Sequence, residues 1–397
     1  MTEFTISSFN VKNLIEAESE YYRFESYTAE EYAWKEDWLA NQLLTLNADI
    51  VCFQEIFSAK SLKHVIGETN LRGAASNADV IPGKDKQYHR RAIFKKLSFE
   101  AYDKSKIFFA PNFHDGEPGQ RRPGLAILSR YGFVGTPEII QVLDEPLTIK
   151  FPELGGGDAG DFTLTRTSRP IIKARIPVGD TVVTVFNTHL KSKLGEYLKP
   201  EGAPFSPEAD LVNYDPVGRA MGSLRATVRR MAEAMVLRKL IVAELDAGNP
   251  VMVLGDYNDG AHAVSSEIIA GEKPFKNYAW MRRHDAQRRN DRYSDEQNLS
   301  IREAIESRAM VSAEKLFVQR SMRDMVYTSA FGGVYESIDQ ILMSRHFLPN
   351  TENAIGEMEY FSVFNDHLTD GSHPEAPYNK MASDHGQIMA HMRLYDD

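Results

Sequence analysis

One cysteine, Cys52, stands in 397 residues, so no internal disulfide can form and no thiolate zinc cluster can assemble. It lies in the apolar run Asp49-Ile50-Val51-Cys52-Phe53, the setting of a buried structural thiol. Long apolar runs are missing as well. Nothing approaches the roughly 20 residues of a membrane span, so no stable membrane association is expected. The opening Met1-Thr2-Glu3-Phe4-Thr5-Ile6 has neither the basic nor the apolar region of a secretory signal. The expected location is therefore cytoplasmic, although a leader already trimmed away would leave no trace. Basic charge is not in surplus: 46 Lys+Arg against 56 Asp+Glu leave a net charge of −10, which excludes a chain that coats nucleic acid by bulk charge. A local basic groove remains compatible with that balance. No repeat of solenoid period and no Gly/Ser or Pro linker is visible. What is present, 42 % hydrophobic and 26 % charged residues, suffices for a sizeable core.

Phe4, Ile6, Ser8 and Asn10 alternate with Thr5, Ser7, Phe9 and Val11, which predicts a strand arriving at a polar residue. Thr28-Ala29-Glu30-Glu31 has capping-box spacing, and Tyr32, Leu39, Leu43 and Leu46 share one face of the helix that follows, with Asn47 as its stop. Ile50-Val51-Cys52-Phe53 then reads as a strand buried on both faces, ending at Gln54-Glu55. The same order recurs. Ser223 is placed to cap a long helix with Leu224, Val228, Met231, Met235 and Val242 on its apolar face and Arg225, Arg229, Arg230 and Lys239 elsewhere. Gly248-Asn249-Pro250 stops it, and Val251-Met252-Val253-Leu254 runs into Gly255-Asp256-Tyr257-Asn258. Further strands are expected at Gly124 to Ser129, Ile171 to Ile176, Val182 to Asn187, Ser337 to Met343 and Gln387 to Leu394. The mixture predicts an α/β fold of two packed sheets flanked by helices. Polar stretches near 60–100, 141–168, 191–220, 271–325 and 345–380 read as loops and insertions on one domain spanning 1–397, because strands that end in polar residues run from residue 4 to 394 and must converge.

Six strand ends or adjoining turns carry a carboxylate, a carboxamide or an imidazole: Asn10, Gln54-Glu55, Asn187-Thr188-His189, Asp256-Tyr257-Asn258, Ser337-Ile338-Asp339 and Ser383-Asp384-His385. A single Asn or Asp after a strand is ordinarily a turn residue. Six of them, each attached to a convincing strand, point to chemistry. Carboxylate and carboxamide oxygens suit Mg²⁺, which takes a few protein ligands and keeps several waters. An imidazole bonded to a carboxylate is fixed in tautomer and raised in pKa, so it can stay cationic beside a phosphate.

From Ser8-Phe9-Asn10-Val11 to Ser383-Asp384-His385, the order of these motifs resembles the endonuclease/exonuclease/phosphatase superfamily over nearly the whole chain. The resemblance implies a four-layered α/β sandwich with its site at one end of two mixed sheets. It also implies divalent-metal-dependent hydrolysis of phosphoesters. Glu55 then is the chief metal carboxylate, with Asn10 and Asp384 near the same ion, Mg²⁺ foremost and Mn²⁺ or Ca²⁺ as alternatives. Asp256 and Asn258 match the pair that orients or deprotonates the attacking water. His385 matches the histidine on the scissile phosphate, and Asp339 the carboxylate that orients it. His189 takes the place of a second phosphate-contacting histidine of the deoxyribonuclease and sphingomyelinase branches. Arg169, in Ser168-Arg169-Pro170, looks like the phosphate-binding arginine of the deoxyribonuclease branch. Asn187 and Lys191, on either side of His189, join it as candidate phosphate contacts, and Lys193 follows at the same strand end.

Other readings compete at several places. Asp366-His367 is a second Asp-His pair, but no apolar run follows it as Gln387-Ile388-Met389-Ala390 follows Asp384-His385; His367 and His373 read as solvated loop, with lining of the mouth of the site as the alternative. Gly155-Gly156-Gly157-Asp158 lacks the Gly-Lys-Ser/Thr of a phosphate loop and reads as a turn. The basic run Arg282 to Arg292 is either a solvated face or a backbone-tracking loop. Glu336-Ser337-Ile338-Asp339-Gln340 lacks the tryptophan-cysteine-aspartate-arginine signature of the inositol-polyphosphate phosphatases, and His189 stands where abasic-site enzymes have a tyrosine. The remaining pattern fits non-specific nucleases and phospholipid phosphodiesterases about equally well, and the cytoplasmic reading, the lack of a membrane-inserting apolar hairpin and several basic loops make nucleic acid the expected substrate, with a phospholipid phosphodiester or a small phosphoester as the alternative and no protein partner indicated. A non-catalytic scaffold keeping the fold should have lost some of the acids, and none is missing.

Overall fold

The computed structural model describes residues 2–22, 25–78, 98–114, 117–118, 121–150, 161–199, 201–202, 204–271, 294–321, 326–370 and 381–396. In chain order the strands are β1 (Thr2–Leu14), β2 (Ile50–Ile56), β3 (Ile107–Ala110), β4 (Phe113–His114), β5 (Glu117–Pro118), β6 (Gly124–Ser129), β7 (Glu138–Lys150) and β8 (Asp161–Val178). They continue with β9 (Thr181–His189), β10 (Val251–Asp256), β11 (Met310–Ser312), β12 (Ser329–Phe331), β13 (Val334–Glu336), β14 (Asp339–Ser344), β15 (Gly356–Phe364) and β16 (Gln387–Leu394). The helices are α1 (Ala29–Leu46), α2 (Ala59–Ala78), α3 (Pro216–Asp246), α4 (Val264–Ala270), α5 (Asp295–Glu306) and α6 (Ala313–Ser321).

Two six-stranded sheets, ordered β15-β16-β1-β2-β6-β3 and β11-β14-β10-β9-β8-β7, carry the fold. Each sheet has a parallel pair, β1 with β2 and β9 with β10, and is otherwise antiparallel. A parallel pair needs a crossover. Helix α1 supplies it in the first sheet and α3 in the second, which is why the helix-then-buried-strand order occurs twice in the sequence. Phe4, Ile6, Ile50, Cys52, Ile127, Val185, Met252, Leu254 and Ile341 fill the space between the sheets. On the far side of the first sheet, Leu39 and Leu43 of α1 and Leu62 and Val65 of α2 cover Phe9, Val51 and Phe53. On the far side of the second, Leu237 and Ile241 of α3 and Ile269 of α4 cover Phe186, Val251 and Val253. The result is a four-layered α/β sandwich with mixed sheets. Among the described residues no helix is long and apolar enough to cross a membrane.

Helix α1 starts and stops where its sequence says. Thr28 and Glu31 form a reciprocal capping box, and Asn47 ends the helix in a left-handed conformation. Helix α3 does not. Its N-cap is Asp215, whose side chain accepts from the Val217 N–H, with Pro216 in the first turn, so Ser223 lies inside the helix. Its buried face runs through Arg230, Ala234, Leu237, Ile241 and Leu245, while Leu224 and Met235 are exposed. Arg225 and Arg230 turn inward because Glu208 and Asp259 neutralise them there. The stretch read as a loop at 141–168 belongs largely to the hairpin of β7 and β8, and 345–380 contains β15. Likewise 60–100 begins with α2, and 271–325 contains α5, β11 and α6. The Gly155 to Asp158 turn, the basic run Arg282 to Arg292 and His373 lie outside the described residues.

Candidate active site

Side chains on a strand alternate faces, so positions two apart share one. Ile6, Cys52, Val185, Leu254 and Ile341 all point into the space between the sheets. Counting onward in twos, toward one end of the sandwich, brings Asn10, Gln54, Asn187, His189, Asp256 and Asp339 into the same gap. Register then sets neighbours: Asp256 pairs with His189 on one side and Asp339 on the other, and Asn10 pairs with Gln54. At Gly255 (φ +149°) a Cβ would run into the Thr188 carbonyl, so the strand carrying Asp256 can lie this close to β9 only with glycine there. Glu55 breaks the alternation. A register shift between Gln54 and Ile56, with Glu55 at φ +64°, swings it to within 3.4 Å of the Asn10 amide. A non-glycine residue held in that region costs about 1–3 kcal/mol, and such strain concentrates at functional sites.

Asp256 is the hub. Its Oδ2 accepts from Asn10 Nδ2 at 3.0 Å, and Oδ1 accepts from the Asn258 N–H at 2.8 Å. His189 Nε2 lies 3.2 Å and His385 Nε2 3.7 Å from that same Oδ2. His385 Nδ1 in turn meets Asp339 Oδ2 at 2.8 Å. Burial pushes Asp256 up to about 7, with Asp339 adding to the rise and cationic His385 opposing it. Burial alone would lower His385, but Asp339 and Asp256 outweigh it and hold the imidazole well above its ordinary value. His189 moves the other way: burial first, then repulsion from Arg169 and His385, keep it neutral. A neutral His189 with Nε2 protonated donates to Asp256, which leaves its buried Nδ1 without a partner. Two imidazoles on one carboxylate are thus shifted in opposite directions, His189 toward the neutral form and His385 toward the cation.

Asn10, Glu55, Asp256, Asn258, His189, Asp339 and His385 come together, as the strand ends imply. Asn258 donates from Nδ2 to the Leu190 carbonyl at 3.0 Å, which fixes its side chain beside the hub. Asp384 stands at the rim with a 61 % exposed side chain and pairs with Lys12 at 3.8 Å. Arg169 donates to the Leu190 carbonyl and lies in the field of Tyr22, Glu55 and Glu233. Lys191 donates to the Ser192 and Leu194 carbonyls and lines the same cavity as Arg169 and Glu55. Asn187 is a correction. It is wholly buried, it donates to the Phe53 and Ala126 carbonyls of the other sheet, and its Oδ1 accepts from Gln54. With its donors spent and no exposure, it ties the two sheets together and has nothing to offer a phosphate. Asp366-His367 does not supply the terminal pair: His367 Nε2 meets the His385 carbonyl at 3.0 Å and so props the site from behind.

Several residues here escaped the sequence reading. Thr328 Oγ1 accepts from the Ile338 and Asp339 N–H groups and steadies the turn that presents Asp339. Lys35, wholly buried in α1, donates to the Val11 and Met381 carbonyls beneath Asn10 and Asp384. Tyr22 and Arg122 line the cavity beside Glu55. Only Arg122 left a readable signal, since Arg122-Pro123 before β6 repeats the Arg169-Pro170 pattern.

The donors Asn10, Glu55 and Asp384 are all hard oxygen ligands, and the strained turn at Glu55 presents a carboxylate whose Oε2 accepts, among the described residues, only from the Asn13 N–H. That set fits Mg²⁺. A second trio, Asp256, Asp339 and His385, offers ligand atoms within 4.8 Å of one another. It suits a metal less well, because His385 is cationic and already bonded to Asp339.

A buried carboxylate thus stands beside a carboxylate-backed imidazolium at one end of a four-layered sandwich. The chain matches the model of the endonuclease/exonuclease/phosphatase family over residues 8–385, and it belongs to that family. Members of the family hydrolyse phosphoester bonds and generally use divalent metals. No curated protein matches the chain. Among solved structures, it is similar to the human nocturnin catalytic domain with bound sulfate, at 14% identity and a TM-score of 0.44, covering 99% of this chain and 95% of that one. An endonuclease/exonuclease/phosphatase family protein from Bacteroides thetaiotaomicron is 13% identical with a TM-score of 0.47, covering 98% and 95%. A mannosyl-6-phosphatase from the same organism is 11% identical with a TM-score of 0.44, covering 98% and 100%.

Proposed function

We propose that this phosphoesterase is a divalent-metal-dependent phosphodiesterase that cleaves nucleic acid by in-line attack of water. The observation that carries the reading is the placement of the buried Asp256 carboxylate, held by Asn10, Asn258 and His189 with the Asp339-backed His385 3.7 Å away, a setting whose burial raises its pKa. A base is most effective when its pKa lies near the working pH. Asp256 takes a proton from the attacking water while Asn258 orients it. The water oxygen bonds to phosphorus, and the bond to the leaving oxygen on the opposite side breaks. His385, kept cationic by Asp339, holds a phosphate oxygen and stabilises the charge that builds there. Asn10, Glu55 and Asp384 would hold Mg²⁺, or Mn²⁺ or Ca²⁺ in its place, which when bound neutralises the phosphate and favours departure of the leaving oxygen. Arg169 and Lys191, beside Glu55, support an extended anionic substrate.

A phospholipid phosphodiester is the second reading, and one observation favours it. Phe205, Leu211, Val212, Tyr214 and Val217 are all exposed in the segment that follows Lys191. Exposed apolar side chains concentrated in one segment suit an amphiphilic substrate. The two readings separate when the protein is incubated with Mg²⁺, Mn²⁺ or Ca²⁺ and plasmid, single-stranded DNA, RNA, sphingomyelin, bis-nitrophenyl phosphate or nitrophenyl phosphate. Nucleic acid and bis-nitrophenyl phosphate should be cleaved, and Asp256→Asn should lower the rate at least roughly 10²-fold with an unchanged circular dichroism spectrum. Cleavage of sphingomyelin alone would overturn the nuclease reading. Near-full activity of Asp256→Asn would overturn the role of the hub.

A further inference from the structure

Beside Glu55 lies a cavity of about 860 Å³, far larger than one phosphate and within the range of nucleotide-sized ligands. Thr163, Thr165 and Thr167, two apart on β8, share the face that lines it, so β8 forms one wall. Arg169 and Lys191 line it deeper, and Arg122 stands exposed at its edge. Tyr22 lies among them, in the fields of Arg169, Glu55 and Arg122 together. Its ring is anchored against Phe57 at 5.7 Å.

The charge of this cavity runs against that of the chain. Five cationic side chains line it, Arg122, Arg166, Arg169, Lys191 and Arg229, against the three carboxylates Glu25, Glu55 and Glu196, so 5 − 3 leaves +2 in a protein of net charge −10. Glu196 is moreover spent on Arg229, which it grips at 2.7 Å through both carboxylate oxygens. Arg122 has no hydrogen bond or ion pair to any described residue. Burial, then the nearby Arg169, lowers the pKa of Lys191, as crowding of like charges in a half-buried space must. An anion between these cations would relieve their repulsion. A hydroxyl-lined wall, an aromatic ring and surplus guanidinium are also what a phosphorylated nucleoside needs.

We propose that this cavity is a subsite for a second phosphate of the substrate, one nucleoside removed from the scissile phosphate, with Arg122 and Lys191 as its cationic contacts. The inference rests on the phosphodiesterase reading and narrows it. The enzyme prefers an ester that carries a neighbouring phosphate over one with the scissile phosphate alone. That neighbour is either a terminal monoester or the next diester of a polynucleotide.

Three p-nitrophenyl esters of thymidine 5′-phosphate test the proposal: one with a free 3′-hydroxyl, one with a 3′-phosphate, and one whose 3′-phosphate is esterified to a second thymidine. The 3′-phosphate should lower KM by roughly tenfold, the worth of one charge-assisted hydrogen bond. Arg122→Ala should collapse the KM ratio between the first two esters toward one, and Arg122→Lys should restore part of it. If the third ester matches the second, the site reads an internal diester; if it matches the first, a terminal phosphate. Equal KM for all three esters in the wild-type protein, with normal turnover, sinks the subsite and leaves the phosphodiesterase reading standing. Absence of turnover instead counts against the phosphodiesterase reading. Calorimetric titration with thymidine 3′,5′-bisphosphate and thymidine 5′-phosphate then decides the subsite by binding alone, through a tighter bisphosphate whose advantage Arg122→Ala removes. Equal affinity of the two nucleotides overturns it.

Discussion

At Lys35 the fold buries an amine to which, among the described residues, no carboxylate is bonded. Its Nζ donates to the Val11 carbonyl at 3.0 Å and the Met381 carbonyl at 3.2 Å. It thereby ties the strand that presents Asn10 to the segment that presents Asp384 and His385. Burial lowers its pKa to about 7, Lys12 adds to the fall, and Glu55 and Asp384 oppose it. In the unfolded chain a lysine titrates at about 10.4, so between the two values the unfolded state holds more protons and stability rises with pH. The gain is complete above the unfolded value and is lost as pH falls through the folded one. Lys35→Met removes this linkage. Between pH 7 and 9, urea unfolding should show the wild-type protein gaining about 2 kcal/mol relative to the variant. A difference that does not change with pH would show that Lys35 stays charged in the folded protein.

Between elements, Asn187 does what its chemistry at a strand end conceals. It joins β9 to the carbonyls of Phe53 on β2 and Ala126 on β6, at 3.0 and 2.9 Å, and so bolts one sheet to the other just behind the site. Asn187→Leu takes a donor from each of two buried carbonyls and one of two acceptors from the Gln54 amide, which keeps the Cys52 carbonyl, and each lost partner is worth about 1–3 kcal/mol. The variant should lose about 3 kcal/mol or more in a denaturant titration, with KM for bis-nitrophenyl phosphate unchanged. A raised KM with unchanged stability would return Asn187 to the phosphate site. The strand ends at Asn10, Glu55, Asp256 and Asp339 were legible in the sequence because each adjoins a run of strand-forming residues, which precedes the first three and follows Asp339, whereas the register shift that turns Glu55 toward Asn10 left no such signal. The capping box at Thr28 and the left-handed stop at Asn47 were legible because caps are local chemistry. Asn187 and Lys35 were not, since their acceptors lie on other elements and nothing in their own neighbourhood announces them. For α3 the failure was of another kind. Its inward arginines are neutralised by Glu208 and Asp259, which no periodicity of Leu, Val and Met can reveal.

Across the whole molecule, the site lies where the two sheets meet, and its parts come from both. Asn10 and Glu55 belong to one sheet, His189, Asp256 and Asp339 to the other, and the 3.0 Å bond from Asn10 to Asp256 crosses between them. The chain closes on itself in the same region, because β1 pairs with β16 from Thr2–Leu394 to Ser8–Ile388. The core between the sheets draws on Phe4 and Leu394 of the first sheet and on Val185 and Ile341 of the second alike, so neither sheet can keep its inner face buried without the other. We therefore expect one cooperative unit spanning the chain, with the polar insertions contributing no independent core. Scanning calorimetry should give one transition whose calorimetric and van't Hoff enthalpies agree. Asp256→Asn should leave that single transition in place even if it shifts the midpoint, because the core does not depend on the hub carboxylate. Two resolved transitions would mean that the sheets, or an insertion, fold apart. The Asn10–Asp256 bond would then join two separately stable bodies, and activity should disappear at the lower transition, when the two halves of the site separate.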